Sequence, residues 1–435
     1  MKKILFLTCL LSVVFVANAF ANGLSLNSIG PKALGMGGAF VGLADDGTAI
    51  YWNPAGLAGQ SNSIMFAGTD IIPFGAYELD AYGIEAETEM NHYAGPNLFV
   101  NYNLGKIGLG FGVYVPAGLG AEWDGADLVA FNGPAFLDPG QTIANPFAGK
   151  AFEWMSKIGV INISPAISFQ LCDKLSIGAA ANVYYGMLEL KRGEDKFTLL
   201  DPSSFGTPIP GEDGMLDTQT AFDISGLGYG ASVGVMYKMS DIVSFGLTYR
   251  SPINVEFEGD ADIDLPGLDT VDGSIDIEWP MWLGAGFAVK ALDKLTLTFD
   301  AQYSQWSSLD ELDAEIKLPA TYGGTTIQKM HLEWEDATQI RLGLAYELNE
   351  NLTILHGWYW DPAPAPDKTL TILFPSQTYS VVTGGLCYKI NNFDVDFGAE
   401  YLFGGDRNIK ASGHNMPGVH QMDIFAVSLG LGYSF

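Results

Sequence analysis

The side chains that could do chemistry in this sequence are few, and their spacing favours holding a molecule over transforming one. Five histidines, His92, His331, His356, His414 and His420, are scattered mostly in or near expected loops, with no serine-based constellation and no metal-ligand set around them. No enzymatic activity, metal or cofactor is therefore expected. Asp260, Asp262 and Asp264 alternate as in a calcium loop, yet Leu265 holds the glycine position and Val271 the closing glutamate position, so they read as a solvated acidic loop. The run Gly35-Met36-Gly37-Gly38-Ala39-Phe40 places Phe40 where a dinucleotide fingerprint needs its third glycine, and no phosphate-binding lysine follows. What remains is binding chemistry. Arg250 and Arg341 carry guanidinium forks suited to a carboxylate. Phe131, Phe136, Phe147, Phe152, Trp154 and Met155 make the segment 116–157 unusually apolar, and 145–158 reads as a short amphipathic helix that would offer a greasy patch to a hydrophobic ligand. The alternative for these aromatics is packing of the loop on itself.

The elements that must position these residues are strands. Period-two alternation puts Ile107, Leu109, Phe111, Val113 and Val115 on one face, against Gly108, Gly110 and Gly112 on the other. The same split recurs over 243–250, 295–304 and 393–403, and it places Arg250 and Arg341 on the inner face with Asp300, Asp394, Asp396 and Glu400. At about 3.3 Å per residue and a tilt near 40°, both arginines stand roughly 20–25 Å above the nearest short turn. There they either grip a carboxylate head group or pair with those acids in a structural network.

Lys2 and Lys3, an apolar run over 4–16 and small-residue cleavage options at Ala17-Asn18-Ala19 and Ala19-Phe20-Ala21 have the layout of a secretory signal peptide spanning 1–21. A net charge of −29 argues against nucleic acid as a partner. Beyond Cys9 in the signal peptide there are only Cys172 and Cys387, too few for a disulfide framework and expected to be unpaired. No uninterrupted apolar run of about 18 residues follows the signal peptide. A secreted chain rich in glycine and aromatics still crosses a bilayer if it closes a barrel, because closure pairs every backbone group.

Short polar turns are expected at 104–106, 172–174, 239–241, 292–294, 349–351 and 391–392, and long polar loops near 73–95, 116–157, 191–225, 259–274, 308–329, 361–376 and 405–420. Six turns and seven loops connect fourteen strands, giving an all-β fold: a 14-stranded antiparallel transmembrane β-barrel over 61–435. Tyr237, Tyr249, Tyr303, Trp306, Tyr346, Tyr388 and Tyr433 are candidates for the interfacial girdles. The final strand, ending in Phe435, resembles the terminal strand that outer-membrane assembly machinery recognises.

Residues 22–60 do not alternate. Their small side chains suit close packing, so the segment reads as a plug inside the lumen. The stretch 33–40, then Ala44-Asp45-Asp46, then Asn53-Pro54-Ala55-Gly56-Leu57, resembles the N-terminal hatch of the FadL-type family (TodX-like channels included), outer-membrane transporters of long-chain fatty acids and other hydrophobic compounds. Within that resemblance, Gly35, Gly37, Gly38 and the tripeptide Asn53, Pro54, Ala55 correspond to the hatch motif. The run 108–125 is similar to the family's third strand and following loop, which implies a kinked strand and a lateral opening in the wall at Gly108, Gly110, Gly112 and Pro116. Physically, strand glycines and a proline that removes a ladder donor suit such a kink, while the same glycines on a smooth strand would make room for the plug. A third stretch, 359–367, resembles the family's proline-rich loop, with Pro375-Ser376-Gln377-Thr378 standing where the family often has Pro-Asp and a basic residue.

The resemblance implies passive movement of a hydrophobic small molecule by loop capture, a lumen pocket and lateral exit, in a monomer surrounded by outer-membrane lipid. A general porin for small polar solutes and an outer-membrane lipid hydrolase are the alternatives. A purely structural or adhesive barrel is a third.

Overall fold

The computed structural model describes residues 23–133, 144–145, 148–194, 218–265 and 267–435. The signal-peptide segment 1–21 lies outside the described residues, as do Phe136 and Phe147.

Alternation drives the chain into long strands that close on themselves. The barrel strands are β1 (Ser63–Leu79), β2 (Tyr93–Asn103), β3 (Ile107–Trp123), β4 (Trp154–Cys172), β5 (Leu175–Glu194), β6 (Thr218–Ser240), β7 (Val243–Arg250), β8 (Trp282–Leu292), β9 (Leu295–Ser304), β10 (Ala337–Glu347), β11 (Leu352–Asp361), β12 (Tyr379–Ile390), β13 (Phe393–Gly404) and β14 (Gly418–Ser434). Each is antiparallel to its neighbours, and β14 returns to β1 from Ser63↔Ser434 to Glu78↔Val419, so the sheet closes on itself. Fourteen strands and the six short turns match the sequence pattern.

Outward positions carry Leu109, Phe111, Leu247, Phe287, Leu342, Phe397 and Leu429, all exposed. A belt of exposed leucine and phenylalanine is costly in water and matched to lipid. Tyr237, Tyr249, Tyr346, Tyr388 and Tyr433 are exposed as expected of girdle residues, but Trp306 is fully buried, stacked edge-on against Trp334 at 5.2 Å.

The long-loop end is more regular than the loops expected there. Strands Ile253–Ile263, Val271–Trp279, Glu311–Lys317 and Thr325–His331 extend the wall above β6 as one continuous antiparallel sheet. The reason is again alternation: Val255 and Phe257 are buried while Glu256 and Glu258 face out. Two cores result. A lower one packs Phe40, Trp52, Phe99, Tyr114 and Trp282 in and around residues 23–60, the leader segment of the described chain. An upper one packs Trp123, Phe131, Trp154, Trp279, Trp306, Trp334 and Phe374 beneath the outer loops.

Candidate functional site: a leader segment in the lumen and a seam in the wall

Residues 23–60 fold inside the barrel as two short helices, α1 (Pro31–Gly35) and α2 (Ala49–Trp52), followed by a 3₁₀ turn (Pro54–Leu57). So little regular structure leaves many backbone groups unpaired, and inward-facing wall side chains satisfy them. Asp300 accepts from the Val41 N–H at 2.8 Å, Gln302 donates to the Gly38 carbonyl at 3.0 Å, and Arg341 Nη1 donates to the Gly37 carbonyl at 2.9 Å. Thr383, Ser244 and Ser176 donate to the carbonyls of Gly35, Gly42 and Ala55. Gly37 and Gly38 lie in the left-handed region, with φ of +65° and +63°.

Asn53 ties the segment together. Its fully buried amide donates to the Val41 carbonyl and to the Val235 carbonyl of β6, both at 3.1 Å, while Oδ1 accepts from the Ala55 N–H at 3.2 Å. Near the short-turn end, Lys32 donates to both oxygens of Asp45 at 2.8 Å. Burial pushes the neighbouring Asp46 carboxyl up to about 6, with Lys32 pulling the other way.

The wall makes room for this filling with glycine. Gly178 of β5 faces Gly234 of β6, Gly246 of β7 faces Gly286 of β8, Gly343 of β10 faces Gly357 of β11, and Gly385 of β12 faces Gly398 of β13. A Cβ at Gly178 would collide with the Pro54–Ala55 backbone, one at Gly234 with Asn53 and one at Gly246 with the Val41 carbonyl. These cross-strand pairs did not emerge from the sequence. Their signal, recurrent glycine on inner faces, was present, but pairing them requires the register.

The wall itself parts between β2 and β3. Their ladder runs from Asn103↔Gly108 up to Leu98↔Val113 and stops. Above it, Tyr93–Asn97 stay paired only with β1, while β3 follows β4 through an irregularity between Tyr114 and Ala117. Pro116, which lacks an N–H, sits in that irregularity. The freed edge of β3 is taken up by the leader: Leu26 N donates to the Pro116 carbonyl and Gly118 N to the Leu24 carbonyl, both at 3.0 Å. Val115 N donates to Asn97 Oδ1 at 3.1 Å.

A cavity of about 420 Å³ occupies this seam. It runs from buried Asp361, Tyr379 and Glu400 in the lumen, past Leu26, Val115, Ile158 and Met422, to the exposed side chains of His92 and Lys157 outside.

Several expected site residues take other roles. Gly108, Gly110 and Gly112 belong to the regularly paired part of β3. A Cβ at Gly108 or Gly110 would meet Leu57 of the leader, so these two glycines accommodate the filling and the departure begins past them, at Tyr114 to Ala117. Phe131, Phe152, Trp154 and Met155 are buried in the upper part of the molecule and form no solvent-facing patch. Trp154 and Met155 start β4, so the last part of the helix expected over 145–158 is strand instead, paired with β3 from Trp123↔Trp154 onward. Among the described residues neither arginine is ion-paired with the expected acids Asp300, Asp394, Asp396 and Glu400. Arg250 donates to the Tyr51 carbonyl at 2.9 Å and lies over the rings of Tyr51 and Trp282, at 4.3 and 5.0 Å. Arg341 holds Gly37 and Gln339 and lies over Tyr359 at 4.2 Å. Leader carbonyls reach these guanidinium groups first. Cys172 and Cys387 are free thiols, as expected.

A family model described as "Outer membrane protein transport protein (OMPP1/FadL/TodX)" matches residues 140–435. The chain belongs to this family. As a FadL/TodX-family barrel it resides in the bacterial outer membrane. It is 25% identical over 277 residues to the "Long-chain fatty acid transport protein" of Salmonella typhi, and spans 62% of that protein's length with 59% of its own. With the protein of the same name from Escherichia coli O6:H1 it shares 24% identity over 440 residues, 93% of this chain and 92% of that one. The crystal structure of the "P. putida toluene transporter TodX" superposes with a TM-score of 0.74 at 20% identity, covering 94% of this chain and 99% of that one, which establishes the shared fold. In this FadL/TodX-family chain the Asn53 motif precedes the segment matched by the family model.

Proposed function

We propose that the protein moves hydrophobic small molecules passively across the outer membrane, by capture at the outer loops, residence in the seam cavity and sideways exit between β2 and β3, with residues 22–60 acting as the hatch. The observation that carries this reading is the cavity of about 420 Å³ that joins buried lumen residues to the membrane-facing seam beside Pro116. Sideways exit spares an apolar molecule a water-filled pore, and each CH₂ kept from water is worth about 0.8 kcal/mol. The names of relatives, a long-chain fatty acid transport protein and a toluene transporter, support the same class of cargo. Capture requires the upper core to part, since Leu370, Ile372, Leu373 and Phe374 are buried over the lumen. The sequence carries no energy-coupling motif, so the movement runs down a gradient. We further propose that the barrel works as a monomer and that β14 with exposed Phe435 presents the assembly signal.

The test is uptake by proteoliposomes. Radiolabelled toluene should equilibrate faster than into empty liposomes, while arabinose entry stays at the background rate. Rapid arabinose entry without hydrophobic uptake would overturn the reading in favour of a porin.

A further inference from the structure

The charged residues lining the seam cavity are unevenly distributed. Among the described residues, those carrying or able to carry a positive charge are His92 and Lys157, both at the outer mouth. Each already faces an acid there: His92 Nδ1 lies 2.7 Å from Asp70, and Lys157 lies 3.2 Å from Glu189. At the buried inner end the charged lining residues are Asp361 and Glu400. Glu400 Oε2 accepts from the Tyr359 hydroxyl at 3.0 Å, and its second oxygen has no hydrogen-bond partner among the described residues. The guanidinium of Arg341 is absent from the lining, because its donors go to the Gly37 carbonyl and Gln339 Oε1. The walls between the two ends are apolar, with Val115, Ile158 and Met422.

We infer that this cavity selects amphiphiles whose head group donates hydrogen bonds without carrying negative charge, alcohols and phenols as a class, and rejects carboxylates. The inference rests on the transport reading and narrows its cargo. A hydroxyl entering head-first meets acceptors at the inner end, whereas a carboxylate there meets like charge in a region shielded from water, where repulsion is weakly screened. Among the described lining residues the cationic side chains lie at the mouth, each beside its own acid.

The experiment uses the full chain in lipid nanodiscs at about pH 8, where free carboxyl groups are ionised. Equilibrium binding of butylbenzene, 4-butylphenol and 4-butylbenzoate is compared, with empty nanodiscs subtracted. The phenol should bind about tenfold more tightly than the benzoate. Glu400→Gln should narrow that ratio severalfold by strengthening benzoate binding. Benzoate binding as tight as phenol binding on the unsubstituted protein overturns the inference, as does an unchanged ratio in a folded Glu400→Gln barrel. If butylbenzene binds and only the discrimination is missing, this inference alone fails. If butylbenzene does not bind either, the transport reading fails with it.

Discussion

Asn53 is a small amide whose two ends serve different parts of the molecule, which makes it a sensitive place to perturb. Its donors reach carbonyls of the leader and of β6, and the side chain is fully buried. Asn53→Ala should leave the Val41 carbonyl unpaired, at a cost of about 1–3 kcal/mol, and remove the added hydrogen bond to Val235, which keeps its place in the ladder. The loss should be local: amide hydrogen exchange over 41–56 accelerates while barrel strands keep their protection. Unaltered exchange in that segment would show that Asn53 is not the tie described. The motif was legible because 53–57 resembles a known hatch, but its partner Val235 lies 182 residues away and follows only from the closed barrel. The arginines teach the same lesson. Alternation put Arg250 and Arg341 on the inner face, yet it could not say that leader carbonyls would occupy them before Asp300 or Glu400 did.

At the scale of the element, β3 shows how composition can locate a feature a few residues off. Gly108, Gly110, Gly112 and Pro116 marked the right strand, but glycine in a strand serves either a kink or a close neighbour, and sequence alone does not separate the two. Here Gly108 and Gly110 serve the neighbour and Pro116 lies at the departure. The seam is narrow enough to test by stitching, since a Cβ built at Gly95 of β2 falls 3.3 Å from the Val115 Cβ of β3. That separation is close to the roughly 3.5–4.5 Å found across disulfides. In a background with Cys172→Ser and Cys387→Ser, the pair Gly95→Cys and Val115→Cys should cross-link on oxidation. Hydrophobic uptake should then fall by at least about fivefold and recover on reduction, the closure being covalent and reversible. Full uptake through the oxidised, cross-linked barrel would rule out exit between β2 and β3. The outer strands were the other misreading at this scale: segments rich in Asp and Glu look like loops, although Val255 and Phe257 alternating with Glu256 and Glu258 carry a half-buried strand signal.

For the molecule as a whole, strand number and closure were legible, because turns and alternation count strands without knowledge of any contact. The closure of the lumen at two levels was only half legible. The lower obstruction was apparent from the glycine-rich leader. The upper one, where the Trp123 indole donates to the Ile372 carbonyl at 3.0 Å and Ser156 donates to the Leu373 carbonyl, depends on contacts across more than 200 residues. Two obstructions in series make a sharp prediction for ion conductance. Deleting 370–374 exposes the upper lumen, yet the leader still fills the barrel below, held by Asp300, Arg341 and Asn53. Planar-bilayer recordings of that deletion should therefore stay near the conductance of the intact protein. Adding Gly178→Val and Gly246→Val, whose side chains collide with the Pro54–Ala55 backbone and the Val41 carbonyl, should displace the leader and produce steady ohmic channels. If removal of 370–374 alone gave porin-like currents, the leader would not be a seal, and the barrel would have to be regarded as an aqueous pore with a single lid.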